Sequence, residues 1–289
     1  MWKAVLNPSS SAMRSIVRGS IFPLVRMMKW IPGSAFGGPR MTVLVVMLFA
    51  TPAFAINAVT VMSDNTMSVV MVQIARAYSR DRGTVVNTSF VSPVAQETQI
   101  KEGGSADILI TPRLPWIEQL KTQGLVDIYS QSTIARNRLI LAGPADSTLT
   151  MRLSPGFKTA PLINAMEGEQ AFVVGSPETL MVGTSGKEAL RNLDVADDLE
   201  PYTLYIKESG QMLDMVTKEH AYGIFFNSSI AGLDGVRAIG LLPEKSYHSI
   251  SYYAVVIAGE NMNQARKFLD YLKSPDTKKL LRENGFVVD

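Results

Sequence analysis

Five short stretches of this chain hold the residues best suited to chemistry. They are Ser63-Asp64-Asn65-Thr66, Val91-Ser92-Pro93, Ser176 to Gly183, Lys207-Glu208-Ser209-Gly210 and Asn227-Ser228-Ser229. All are rich in Ser, Thr, Asn or Gly, and each leads into a stretch that reads as a helix. The first backbone N–H groups of a helix lack intrahelical acceptors and carry a partial positive charge. Several such ends aimed at one point make an anion site without any Lys or Arg. The same residue types also serve as ordinary N-caps. Convergence decides between the two roles.

Catalytic patterns are absent or incomplete. The chain has no cysteine, so thiolate nucleophiles, thiolate metal sites and disulfides are excluded. Of the two histidines, His220 stands beside Glu219 at a helix end, where a cation is favourable. His248 lies among Tyr247, Tyr252 and Tyr253. No His-Glu-x-x-His occurs. Ser63-Asp64-Asn65 copies a triplet of penicillin-recognising enzymes, but no Ser-x-x-Lys accompanies it. Gly183-Thr-Ser-Gly-Lys187 lacks the Ser or Thr after Lys and the upstream Gly spacing of a phosphate loop. The reading is a binding protein, not an enzyme, with no cofactor and no metal.

The elements that must position these stretches alternate in type. Val59 to Met62 reads as a buried strand, and Met67, Val70, Met71, Ile74 and Tyr78 follow helical spacing up to Gly83. Further strands are expected at 84–90, 107–111, 138–142, 171–175, 202–206, 223–226 and 251–258. Helices are expected at 94–102, from Pro115, and at 186–192, 211–219, 263–272 and 276–284. Residues 143–168 read as irregular. Alternating strands and helices predict an α/β fold with mostly parallel sheet, whose ligands sit beyond the carboxyl ends of the strands.

Charge and hydropathy say where such a protein works. Lys3, Arg14, Arg18, Arg26, Lys29 and Arg40 all precede the first acidic residue, Asp64. A short apolar run from Met41 then closes on Ala53-Phe54-Ala55. That is the pattern of a secretory leader cleaved after Ala55. The run stops at Pro52, too soon for a spanning helix of roughly 20 apolar residues. Removing those six cations from 28 Lys+Arg leaves 22 against 26 Asp+Glu, so the mature chain is acidic and carries no nucleic-acid footprint. A free periplasmic protein is expected, with no lipid-bearing cysteine.

Five segments give this chain a family likeness. They are Val59-Thr-Val-Met62 with its capped helix; Ser89-Phe90 with Gln99-Ile100 to Ala106-Asp107; Gly175-Ser-Pro-Glu178 with Gly183 and Lys187 to Leu190; Gly223-Ile-Phe-Phe-Asn-Ser228; and Phe268 to Pro275 with Asn284-Gly-Phe286. In this order the chain resembles the periplasmic molybdate-binding proteins that serve ABC importers. The resemblance implies a type II periplasmic binding protein, two α/β lobes joined by two crossing strands around a ligand cleft. It places the leader at 1–55, lobe one at 56–136 plus 252–289, and lobe two at 137–251. The implied partners are an oxyanion and an inner-membrane ABC permease, for a monomeric protein.

The resemblance also implies a set of site residues. The family's five oxyanion contacts fall on Thr66, Pro93, Val182, Ser209 and Phe226. Thr66 keeps a hydroxyl. Pro93 has neither hydroxyl nor N–H, leaving Ser92 as a substitute. Phe226 lacks the expected tyrosine hydroxyl, beside Asn227 and Ser228; Asn65 completes the candidate set. Each lost bond to charged oxygen costs roughly 1.5–3 kcal/mol. Depletion of the shell therefore predicts either an altered oxyanion site or a different ligand, a small organic anion or neutral molecule walled by Met62, Met67, Met181 and Phe226. A ligand sensor is the other reading. Asp64 and Glu208 would repel an anion if they face the cleft.

Overall fold

The computed structural model describes residues 58–166 and 172–289. The expected leader, 1–55, lies outside the described residues. The strands are β1 (Ala58–Ser63), β2 (Val85–Phe90), β3 (Ile108–Thr111), β4 (Ser132–Asn137), β5 (Leu139–Pro144), β6 (Phe172–Gly175), β7 (Thr203–Ile206), β8 (Tyr222–Phe226), β9 (Val236–Leu241) and β10 (Ile250–Val256). The helices are α1 (Ser68–Arg82), α2 (Pro93–Lys101), α3 (Leu114–Thr122), α4 (Ala160–Ala165), α5 (Met181–Asn192), α6 (Ala196–Leu199), α7 (Ser209–Glu219), α8 (Asn227–Ile230), α9 (Met262–Leu272) and α10 (Pro275–Glu283).

The opening unit shows how sequence makes these elements. Val59 and Val61 of β1 are fully buried, and α1 lays Val70, Met71, Ile74 and Tyr78 on the same core. Gly83 then stops the helix at φ 65°, a left-handed conformation that glycine adopts without steric cost. Tyr78 meets Phe268 edge-on at 4.9 Å between centroids, fixing α9 against α1 across most of the chain length.

Two five-stranded sheets result, ordered β2-β1-β3-β10-β4 and β7-β6-β8-β5-β9. They are mixed, which corrects the expectation of mostly parallel sheet. β1 pairs parallel with β2 and β3, and β6 with β7 and β8. β10 runs antiparallel to β3 and β4, and β5 antiparallel to β8 and β9. The antiparallel strands are those next to the passages between sheets. The chain leaves the first sheet at Asn137 and enters the second at Leu139, with Arg138 alone between. It returns between Leu241 and Ile250. Tyr247 on the return passage accepts the Leu139 N–H through its hydroxyl at 3.1 Å, so the two passages brace each other.

Candidate functional site

The parallel strands decide what meets at the site. α1 (through a 3-10 turn, Asn65–Met67) and α2 begin beyond the carboxyl ends of β1 and β2. α5, α7 and α8 begin beyond those of the adjacent strands β6, β7 and β8. These starts face one cavity of about 150 Å³. From the first sheet it is lined by Asp64, Asn65, Thr66, Ser92 and Pro93. From the second come Val182, Ser209, Phe226 and Ser229, with an apolar wall of Leu180, Met181, Met212, Leu213 and Phe225.

Seven of the nine residues proposed from sequence line this cavity: Asn65, Thr66, Ser92, Pro93, Val182, Ser209 and Phe226. Asn227 and Ser228 do not, because both side chains are committed elsewhere. Asn227 donates through Nδ2 to the Gly285 carbonyl at 2.7 Å, and Ser228 Oγ accepts from Asn137 Nδ2 at 2.7 Å. Ser229, one residue on, takes the place on the lining. Met62 and Met67 lie in the core, 3% and 0% exposed, so the apolar wall comes from other residues. Glu208, just before α7, is exposed and off the lining.

The second-sheet helices present backbone donors. Met181, Val182, Ser209 and Gly210 occupy the first two positions of α5 and α7. Their N–H groups have no acceptor within the helix. α5 begins at Met181, five residues before the start read from sequence. Gly183 and Gly186 look like loop residues but serve close packing. A Cβ on Gly183 would lie 2.0 Å from the Gly175 carbonyl oxygen. On the other side, Pro93 starts α2, and Ser92 caps it by accepting the Ala95 N–H at 3.3 Å. That bond uses a lone pair and leaves the Ser92 proton free to donate.

Thr66 is more constrained than its sequence suggested. Its N–H donates to Asp64 Oδ1 at 2.9 Å, and its hydroxyl donates to the same oxygen. Tyr252 then supplies the proton to Thr66 Oγ1, at 2.6 Å. Asn137 Oδ1 accepts the Arg138 N–H at 3.0 Å, so its Nδ2 donates to Ser228 Oγ and, at 3.5 Å, to Tyr252. A partly buried chain thus runs from Ser228 in the second sheet's α8, through Asn137, Tyr252 and Thr66, to Asp64 in the cavity. Burial, with a smaller push from Asp64, raises the Tyr252 phenol above its ordinary value and keeps it a donor. Sequence reasoning missed Tyr252 and Asn137, which lie far from Thr66 along the chain and on different strands. Tyr252→Phe removes the proton reaching Thr66 and one acceptor of Asn137. It is expected to cost about 1–2 kcal/mol of stability, read as a lower urea midpoint with unchanged m.

This geometry defines a two-lobed binding protein of the periplasmic type II class. The chain belongs to the bacterial extracellular solute-binding protein family, whose pattern it matches over residues 59–287. It is 27% identical to the molybdate-binding protein ModA of Escherichia coli (strain K12), over 80% of this chain and 89% of that one. Among solved structures, a substrate-binding domain from Clostridium difficile aligns with TM-score 0.71 at 22% identity, over 80% of this chain and 99% of that one. The periplasmic molybdate-binding protein of Azotobacter vinelandii aligns with TM-score 0.63 at 19% identity, with the same coverage. These structural likenesses concern the fold. Among the described residues no helix is long and apolar enough to cross a membrane.

Proposed function

We propose that this protein is the periplasmic substrate-binding component of an ABC importer, and that its cleft captures a tetrahedral oxyanion of the molybdate and tungstate class. One observation carries the reading: helix starts from both sheets meet on a single small cavity. At about 150 Å³ it falls below the roughly 300–1,000 Å³ of pockets for larger organic ligands, and so suits a compact solute. N–H groups of Met181, Val182 and Ser209 and the Ser92 hydroxyl are the donors. The apolar wall lowers the local dielectric and strengthens each bond they make. The curated molybdate-binding relative supports the same ligand class.

The mechanism is hinge closure. Lobe one comprises 56–136 plus 252–289, and lobe two 137–251. Ligand touching both stabilises the shut form by its higher affinity for it. The chain is exported, cleaved after Ala55, and delivers its ligand as a monomer to an inner-membrane permease. No catalysis, cofactor or nucleic acid takes part. Two hydroxyls fewer than the family pattern, at Pro93 and Phe226, lower the expected affinity to the order of micromolar, each such bond contributing roughly 1.5–3 kcal/mol. Isothermal titration with molybdate and tungstate tests this. Micromolar, stoichiometric binding is expected, and the absence of heat up to millimolar ligand contradicts it.

A further inference from the structure

Among the described residues, Asp64 is the one carboxylate lining the cleft, and no Lys, Arg or His shares the lining with it. It is 4% exposed. Its hydrogen bonds from Thr66 both go to Oδ1, so neither of them occupies Oδ2. Among the described residues, no neighbouring element brings a charged side chain to bear on Asp64. β1, β2, β3 and α8 contain no ionisable side chain. On α1, Arg80 pairs with Asp81 near the far end of the helix. On α2, Glu97 pairs with Lys101 and Arg113 at the surface. On α5, Glu188 holds His248 and Lys187 sits over the Tyr205 ring. On α7, Asp214 pairs with Lys218. From β10 only the neutral phenol of Tyr252 reaches the group, through Thr66.

An anion entering this cavity meets a like charge that nothing neutralises. Resting on the oxyanion reading above, we propose that Asp64 makes capture proton-linked: one proton enters with each oxyanion and is held between the Asp64 carboxyl and a ligand oxygen. The proton comes from solvent and returns to it on release, and no covalent bond changes. A protonated Asp64 restores a donor to a cleft in which Pro93 and Phe226 offer none. Burial already holds this carboxyl above its ordinary range, only partly offset by the two Thr66 hydrogen bonds. Asp64 thereby also sets specificity. It favours oxyanions that are conjugate bases of weak acids, which accept the shared proton well, over sulfate, a weaker base.

Calorimetric titration of the protein with sodium molybdate, in Hepes and in Tris at matched pH, counts the protons. Wild type is expected to take up close to one proton per ligand and to weaken by about tenfold per pH unit above the Asp64 pKa. Asp64→Asn keeps the acceptor for Thr66 and removes the charge. It is expected to show no uptake, a flat pH profile, and at least about tenfold tighter binding at pH 8, one like-charge repulsion being removed. Wild-type binding that is independent of buffer and pH overturns the proton link, even if the variant fails to fold. A folded Asp64→Asn protein that binds more weakly overturns it as well. If neither protein binds molybdate or tungstate at any pH, the oxyanion reading itself fails and this inference with it.

Discussion

The Gly183→Ala variant is expected to bind molybdate about 100-fold more weakly than the parent protein. Gly183 sits in the first turn of α5, where the helix rests directly on the end of β6. A methyl group there would lie 2.0 Å from the Gly175 carbonyl oxygen and 2.8 Å from the Ser176 carbonyl carbon. Both partners are backbone and cannot rotate away. α5 must retreat from β6, and Met181 and Val182 carry their N–H groups with it. Two bonds to charged oxygen, each worth roughly 1.5–3 kcal/mol, weaken together. Overpacking adds a stability loss of about 1–3 kcal/mol. Titration calorimetry reads the first effect and urea unfolding the second. Unchanged affinity would mean that the α5 amides do not hold the ligand.

The Phe226→Tyr variant is expected to act in the opposite direction, tightening molybdate binding about 10- to 100-fold. Phe226 ends β8, caps α8 and lines the cavity while only 3% exposed. Restoring the tyrosine hydroxyl adds one donor to a shell short of donors. A bond to a charged oxygen in an apolar surround is worth roughly 1.5–3 kcal/mol. The substitution adds a single oxygen and keeps the ring, so the core packing of β8 is retained. Titration with molybdate checks it, and weaker or unchanged binding would show that position 226 does not face the ligand.

The opening β1-α1-β2-α2 unit was legible in the sequence because its burial is local. Val59 and Val61 alternate with outward residues, and the buried side of α1 follows from spacing alone. The strands β4 and β9 were not legible. β9 buries Ile239 while Ala238 and Leu241 are exposed, so it has no apolar run to read, and its pairing with β5 is what makes it a strand. β4 pairs with β10 through a bulge at Tyr252/Tyr253, a contact between distant parts of the chain. The mixed character of both sheets follows from β10 and β5, each antiparallel to both of its neighbours.

The site was legible in a similar measure. Hydroxyl-rich helix starts could be picked out one by one, and Thr66, Ser92 and Ser209 do meet at the cavity. Their convergence was not readable, since it depends on which strands are neighbours. That Asn227 and Ser228 stand off the lining was not readable either, because their partners, Gly285 and Asn137, lie far away in sequence. Asp64 is an N-cap: its side chain accepts the Thr66 N–H. It also lines the cavity, which no local pattern distinguishes from capping alone.

The most direct test of the account is a crystal of the protein grown with tungstate, with data collected at a wavelength where tungsten scatters anomalously. The account predicts one strong anomalous peak per molecule, between Ser92 and Asp64 on one side and the Met181, Val182 and Ser209 amides on the other. An empty cleft with soaked tungstate at the surface, or at no ordered position, would contradict it.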